Sequence, residues 1–130
     1  MSEPKKEITQ FETGAIRDTQ KDKPQFLECM SPFAMWRYGI YMEKASRKYG
    51  PDNWTKGIPK ASYLESLERH LIKLKMEFKH GHVAEPGVDH AAAIMFNIMG
   101  FLHECEKPGA TSTNCAGPDV PPTKPEQGQI

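Results

Sequence analysis

Proline and glycine leave this chain three stretches long enough for a substantial helix. Ser31-Pro32 opens the first, because a serine hydroxyl can cap an orphan amide and proline at the first helical position loses no needed hydrogen bond. The segment FAMWRYGIYMEKASRKY follows and stops at Gly50-Pro51. Phe33, Trp36, Ile40, Glu43 and Arg47 fall broadly along one face, while Met35, Tyr38, Met42, Ala45 and Tyr49 favour another. Apolar coverage this wide predicts burial between more than one neighbour.

Ser62 and Glu65 have the spacing of a capping box at the head of the second stretch. Leu64, Leu67, Leu71, Leu74 and Phe78 follow at core spacing, and Gly81 supplies a C-terminal stop. Glu68 and His70 sit on opposite shoulders of that stripe. The third stretch is anchored by AAAIMFNIMGFL, starting near Val88 and ending before Pro108. Asp89, Ala93, Asn97, Gly100 and Glu104 share one of its faces. Small Ala93 and Gly100 would admit a neighbouring helix or ligand, and a buried Asn97 amide would need hydrogen-bond partners. The expected fold is all-α, a compact helical bundle.

A chain of 130 residues fits one domain. The expected division is a flexible segment over 1–13, a helical domain over 14–107 and a flexible Pro/Gly-rich tail over 108–130, which lacks the apolar periodicity to offset its ordering entropy. Lys plus Arg and Asp plus Glu number 17 each, which disfavours a basic nucleic-acid coat and an acidic tail. The apolar run is too short to span a bilayer and no signal-peptide core follows the N-terminal lysines, so the expected location is the cytoplasm. Cys29, Cys105 and Cys115 lack the spacing of a zinc pair or a redox CxxC and are expected to be structural or incidental.

Three features bear on chemistry. Glu43, Glu68 and Asp89 come from separate helices and could meet around Mg²⁺, a hard cation that accepts carboxylates, waters and phosphate oxygens. Alternatively, Glu43 pairs with Arg47, Glu68 faces water and Asp89 caps or precedes the third helix. His90 and Asn97, joined by His70 from the preceding helix, could orient water or hold a ligand; a buried structural network is the other reading. His80 and His82 flank Gly81 and carry no assigned role, and Glu77, His80, His82 and His103 do not form the HExxH zinc pattern. The third feature is cationic and aromatic: Arg17 and Lys23 early in the chain, then Arg47, Lys48, Tyr49 and Trp54, where lysine or arginine could neutralise phosphate and the rings could stack on a base. Trp54 is equally suited to anchoring the turn between Gly50 and Gly57. Phosphate-binding GxxxxGK[ST], dinucleotide GxGxxG and serine-elbow patterns are all absent from the sequence.

The segments GAIRDTQKDKPQF at 14–26, RKYGPDNWTKG at 47–57, LERHL at 67–71 and HAAAIMFN at 90–97 together make the chain resemble a small phage and bacterial family, the dATP/dGTP diphosphohydrolase N-terminal domain. That family is similar in function to the all-helical MazG-like nucleotide pyrophosphohydrolases. Their ExxE followed by ExxD is echoed only by Glu65 and Glu68, and Asp89 is followed by His90 instead. The resemblance implies functional interest in Arg17, Asp18, Lys23, Lys48, Tyr49, Gly50, Asn53, Trp54, Arg69, His70, His90 and Asn97. It also implies Mg-dependent hydrolysis of a purine deoxynucleoside triphosphate to the monophosphate and pyrophosphate. Arg69 or Lys48 is the expected phosphate contact, and a homo-oligomer is expected from the wide apolar surfaces. The competing expectation is a noncatalytic accessory protein that binds nucleotide or, less favoured by the charge balance, nucleic acid.

Overall fold

The computed structural model describes residues 7–110. The chain divides into two units between Met35 and Trp36. In the first, β1 (Ile8–Gln10) and β2 (Ile16–Asp18) pair antiparallel, with Ile8 opposite Asp18 and Gln10 opposite Ile16. Gly14 takes the positive φ of 89° that the connection needs, and its amide donates to the Phe11 carbonyl at 2.9 Å. This hairpin departs from the all-α expectation, and β1 falls inside the stretch expected to be a flexible segment. Strands this short carry too little alternation to register as a period in sequence. The expected C-terminal tail falls, beyond residue 110, outside the described residues.

Helix α1 (Pro32–Tyr49) begins as its sequence dictates, with the Ser31 hydroxyl accepting from the Ala34 amide at 3.2 Å. Arg47 and Lys48 lie in its last turn, where positive charge complements the helix dipole. A 3₁₀ turn over Asn53–Lys56 leads into α2 (Lys60–His80). The anticipated capping box does not form: α2 starts directly after Pro59, which stands at the N-cap in an extended conformation (φ −56°, ψ 139°) with no side-chain cap, and the Ser62 amide bonds to the Pro59 carbonyl. Gly81 ends α2 as expected, in the left-handed region at φ 64°, its amide bonding to the Glu77 carbonyl and that of His82 to Met76. Helix α3 (His90–Glu106) is capped by Asp89, whose carboxylate accepts from the Ala92 amide at 3.1 Å.

Helices α2 and α3 run antiparallel and share the main seam of the helical unit. On α3, His90, Ala93, Asn97, Gly100 and Glu104 recur at alternating three- and four-residue steps and all are buried. On α2, Tyr63 is 2% exposed, and Leu67, His70, Leu74 and Glu77 continue its face half-buried. The leucine stripe expected to form this face is rotated outward at Leu64, Leu71 and Phe78, the last 89% exposed. The reason lies on the partner helix. A β-carbon at Gly100 would lie 2.2 Å from the Tyr63 ring, so the small residue on α3 is matched to a large ring from α2, which a leucine could not replace without a void. Phe96 meets the same ring edge-on, with centroids 5.8 Å apart. The Ile58 amide, just before α2, donates to the buried Glu104 carboxylate at 3.2 Å and closes the far end of the seam. Cys105, also buried, is disulfide-bonded. Among the described residues no helix is long and apolar enough to cross a membrane.

Candidate functional site

The most unusual chemistry lies at the α3 N-terminal end of the seam. His70 and His90 face one another with their Nδ1 atoms 2.9 Å apart. A bond at that distance needs one nitrogen to carry hydrogen and the other a lone pair, so the two rings hold complementary tautomers at this contact. His90 is 1% exposed, and its Nε2 has no hydrogen-bond partner among the described residues. The closest acid is Glu77, whose Oε1 lies 3.7 Å from that nitrogen, one side-chain adjustment short of a hydrogen bond. Burial, reinforced by His90, Lys73 and Arg69, pushes the His70 pKa below its usual 6.5. Carboxylate, buried imidazole and second imidazole thus stand in series, and the ring at the end of the series favours its neutral, basic form.

Asp89, immediately before His90, ties α1 to the start of α3. Arg37 grips it with two charge-assisted bonds, Nε to Oδ2 and Nη2 to Oδ1, each 2.7 Å. This bidentate grip, more than the Ala92 amide, holds the Asp89 pKa below the usual carboxylate range against the opposing effect of burial. Arg37 is largely exposed, so the pair contributes about 1 kcal/mol despite its geometry. Tyr38 and Tyr41 add further ties from α1, the Tyr38 hydroxyl to Met99 Sδ at 3.0 Å and the Tyr41 ring to Phe96 with centroids 6.4 Å apart.

Two clefts open along α1. The larger, about 390 Å³, is lined by Arg37, Lys44, Lys48, Trp36, Tyr41, Tyr49 and Asp89 among others. Its lysines have no ion-pair partner among the described residues, and Lys48 Nζ sits 5.0 Å from the centre of the Tyr49 ring. The smaller, about 300 Å³, is bordered by Met42, Glu43, Tyr49, Asn53, Trp54 and Phe96 among others. Tyr49 and Ala45 line both clefts, so the two adjoin.

The residues picked out in sequence are distributed unevenly over this arrangement. Lys48, Tyr49, Asn53 and Trp54 gather at the clefts, and His70 meets His90 directly. Trp54 also serves as the anticipated anchor, its ring edge-on to His103 with centroids 4.7 Å apart. Asn97 is buried and spends its amide nitrogen on the Ala93 carbonyl of its own helix, at 2.8 Å. Arg69 and Glu68 are exposed on α2. Arg17 lies in β2 and Lys23 beyond it, both in the first unit. The three carboxylates expected around Mg²⁺ are not brought together: Glu43 pairs with Arg47 at 2.6 Å, Asp89 is held by Arg37, and Glu68 faces outward. Among the described residues no group of three or more His, Cys, Asp or Glu side chains is placed to hold a metal ion.

Arg37 and Glu77 were not assigned roles from sequence. Arg37 offers no local signal, since its partner is 52 positions away. Glu77 does offer one: it lies two helical turns beyond His70 on the same face, the spacing that links His90 to Asn97.

Residues 12–113 match the model of the family dATP/dGTP diphosphohydrolase, N-terminal, and the chain belongs to that family. Neither a curated protein nor a solved structure matches it.

Proposed function

We propose that this chain hydrolyses a purine deoxynucleoside triphosphate, dATP or dGTP, to the monophosphate and pyrophosphate. The observation that carries the reading is the series Glu77, His90, His70 next to Asp89, which itself borders the lysine-lined cleft. The family description supplies the substrate class. In this mechanism the neutral His70 takes a proton from water as its oxygen attacks the α-phosphorus, the bond to the bridging oxygen breaks, and pyrophosphate leaves. His90 and Glu77 behind it fix the ring's tautomer and spread the positive charge that develops. Lys44 and Lys48 neutralise phosphate oxygens, with Arg69 a further candidate on the turn that carries His70. Mg²⁺ enters the proposal as the counterion of the triphosphate. Among the described residues no group of three or more His, Cys, Asp or Glu side chains is placed to hold it.

Hydrolysis in ¹⁸O-labelled water provides the test. Label in the monophosphate, with pyrophosphate as co-product, supports attack at the α-phosphorus. Release of nucleoside plus triphosphate would refute that chemistry, and tight binding of dATP without turnover would favour the accessory-protein reading.

The same proposal includes a homo-oligomer. Leu71, Ile72 and Phe78 leave an apolar strip on the outer side of α2, a surface that a second copy would remove from water. Light scattering across a concentration series should give a mass above that of one chain; a monomer throughout would exclude the assembly.

A further inference from the structure

The smaller cleft on α1 has a composition different from the lysine groove beside it. Tyr49, Trp54 and Phe96 supply ring surface, Met42 adds apolar contact, and Asn53 contributes an amide. Asn53 is half-buried, yet its side chain makes no hydrogen bond among the described residues. The contrast with Asn97, whose amide is used by its own helix, is direct. An amide both donates and accepts, so an unspent one beside aromatic rings matches the donor and acceptor pattern along the edge of a flat heterocycle. The turn that carries it is firmly set: Asp52 adopts a left-handed φ of 57°, the Thr55 amide and hydroxyl bond to the Asp52 carbonyl, and Trp54 is braced against His103. At about 300 Å³ the cleft is at the small end of the range for ligand sites, sized for one ring system and not for a whole triphosphate.

We propose that this cleft is the nucleobase subsite, in which a purine ring packs against Tyr49 and Trp54 while the Asn53 amide pairs with its polar edge. The inference rests on the nucleotide reading above and adds a division of labour to it. The adjoining groove, with Lys44 and Lys48, receives the phosphates, and Tyr49 lines both sides of the junction. Asn53 then acts as a specificity residue, and Asn97, the asparagine inside α3, serves the helix.

Two separated probes test the division on the full chain by calorimetry: deoxyadenosine, which has the base without phosphate, and inorganic tripolyphosphate, which has the phosphates without a base. Asn53→Ala should weaken deoxyadenosine about tenfold, equivalent to about 1.4 kcal/mol, and leave tripolyphosphate unchanged. Lys48→Met should do the reverse. Thermal melting verifies that both variants are folded, which the absence of a side-chain bond at Asn53 favours. If the wild type fails to bind deoxyadenosine at millimolar concentration, or if Asn53→Ala leaves its affinity unchanged or weakens both probes alike, the subsite is wrong. Failure of the hydrolytic reading is separate: base binding lost on Asn53→Ala in a chain without turnover keeps the subsite and removes the enzyme. Turnover of dATP with an unchanged KM in Asn53→Ala does the opposite.

Discussion

Along its buried face α3 meets α2 through His90, Ala93, Asn97, Gly100 and Glu104, whereas α1 buries none of its residues. Within the helical unit the seam spends much of its polar and ring surface internally, a ring over a glycine, an amide on a carbonyl, a backbone N–H on a carboxylate, and leaves the Tyr63 hydroxyl and His90 Nε2 without a hydrogen bond among the described residues. The α1 side does the reverse. It is tied down at Arg37, Tyr38 and Tyr41 and leaves Lys44, Lys48, Trp36 and Tyr49 bordering open clefts. Apolar area removed from water dominates stability, so the seam should control folding. Unspent donors and rings control recognition, so the α1 face should control binding. The histidine pair lies where the two regimes meet, inside the seam but one residue from the cleft-lining Asp89.

The largest effect should come from that junction. His70→Ala removes the proposed base, and loss of a general base lowers turnover by about 10²- to 10⁴-fold. Melting of the variant should change far less, because His70 is only half-buried. If His70→Ala keeps wild-type turnover while folded, the junction belongs to the seam alone and the catalytic reading fails. The pH response gives a second check. With the folded pKa pushed below 6.5, His70 remains neutral at pH 7, and activity should fall only when the medium is acidified through that lowered value. Stability follows the same sign. The unfolded chain takes up the proton first as pH drops below 6.5, so His70's contribution is complete above 6.5 and declines towards its folded pKa. A wild-type rate profile whose acid limb lay above pH 6.5 would contradict this assignment.

Next in size is Gly100→Ala. Alanine in mid-helix normally stabilises by about 1 kcal/mol relative to glycine. At Gly100 the added carbon would be 2.2 Å from one atom of the Tyr63 ring and 2.3 Å from another, and the ring is 2% exposed and meets the Phe96 ring edge-on. A contact this short puts the overpacking cost at the upper end of about 1–3 kcal/mol, so after the helix-propensity gain the net should be a destabilisation of about 2 kcal/mol, or roughly 10 °C in melting temperature. An unchanged or raised melting temperature would show that α2 and α3 are not held at this closeness.

Which of these features were legible in the sequence follows from the range of the interactions that decide them. The start of α1 at Ser31-Pro32 and the end of α2 at Gly81 are settled by bonds within one helical turn, and both were readable. The small-residue stripe on α3 was readable as well, because Ala93 and Gly100 leave room whatever their neighbour. The rotation of α2 was not: a leucine stripe is a sound helical signal, but Tyr63 prevails only because Gly100 lies opposite it across the seam. His70 and His90 were each singled out, yet sequence spacing cannot put two nitrogens on different helices 2.9 Å apart. The Glu43–Arg47 pair and the Asp89 cap lie within four residues and are legible in the sequence, whereas the Arg37 grip on Asp89 comes from another helix and is not.

The smallest expected effect makes the sharpest comparison, because it repeats one substitution in the other region. Gly39 lies within α1 without a positive φ, and a β-carbon there would meet nothing within 4 Å. Gly39→Ala therefore restricts the unfolded chain and improves helix propensity without a packing cost, a gain of about 0.5–1 kcal/mol. Melting of Gly39→Ala and Gly100→Ala under one set of conditions should give shifts of opposite sign, upward on α1 and downward in the seam. Destabilisation of both would mean that the open side of α1 is covered by something that packs against Gly39, and a second copy of the chain would then have to reach α1 as well as the apolar strip on α2. A loss at Gly39 that grows with protein concentration would identify that covering as self-association, since mass action makes an interface defect visible where assembled chains predominate.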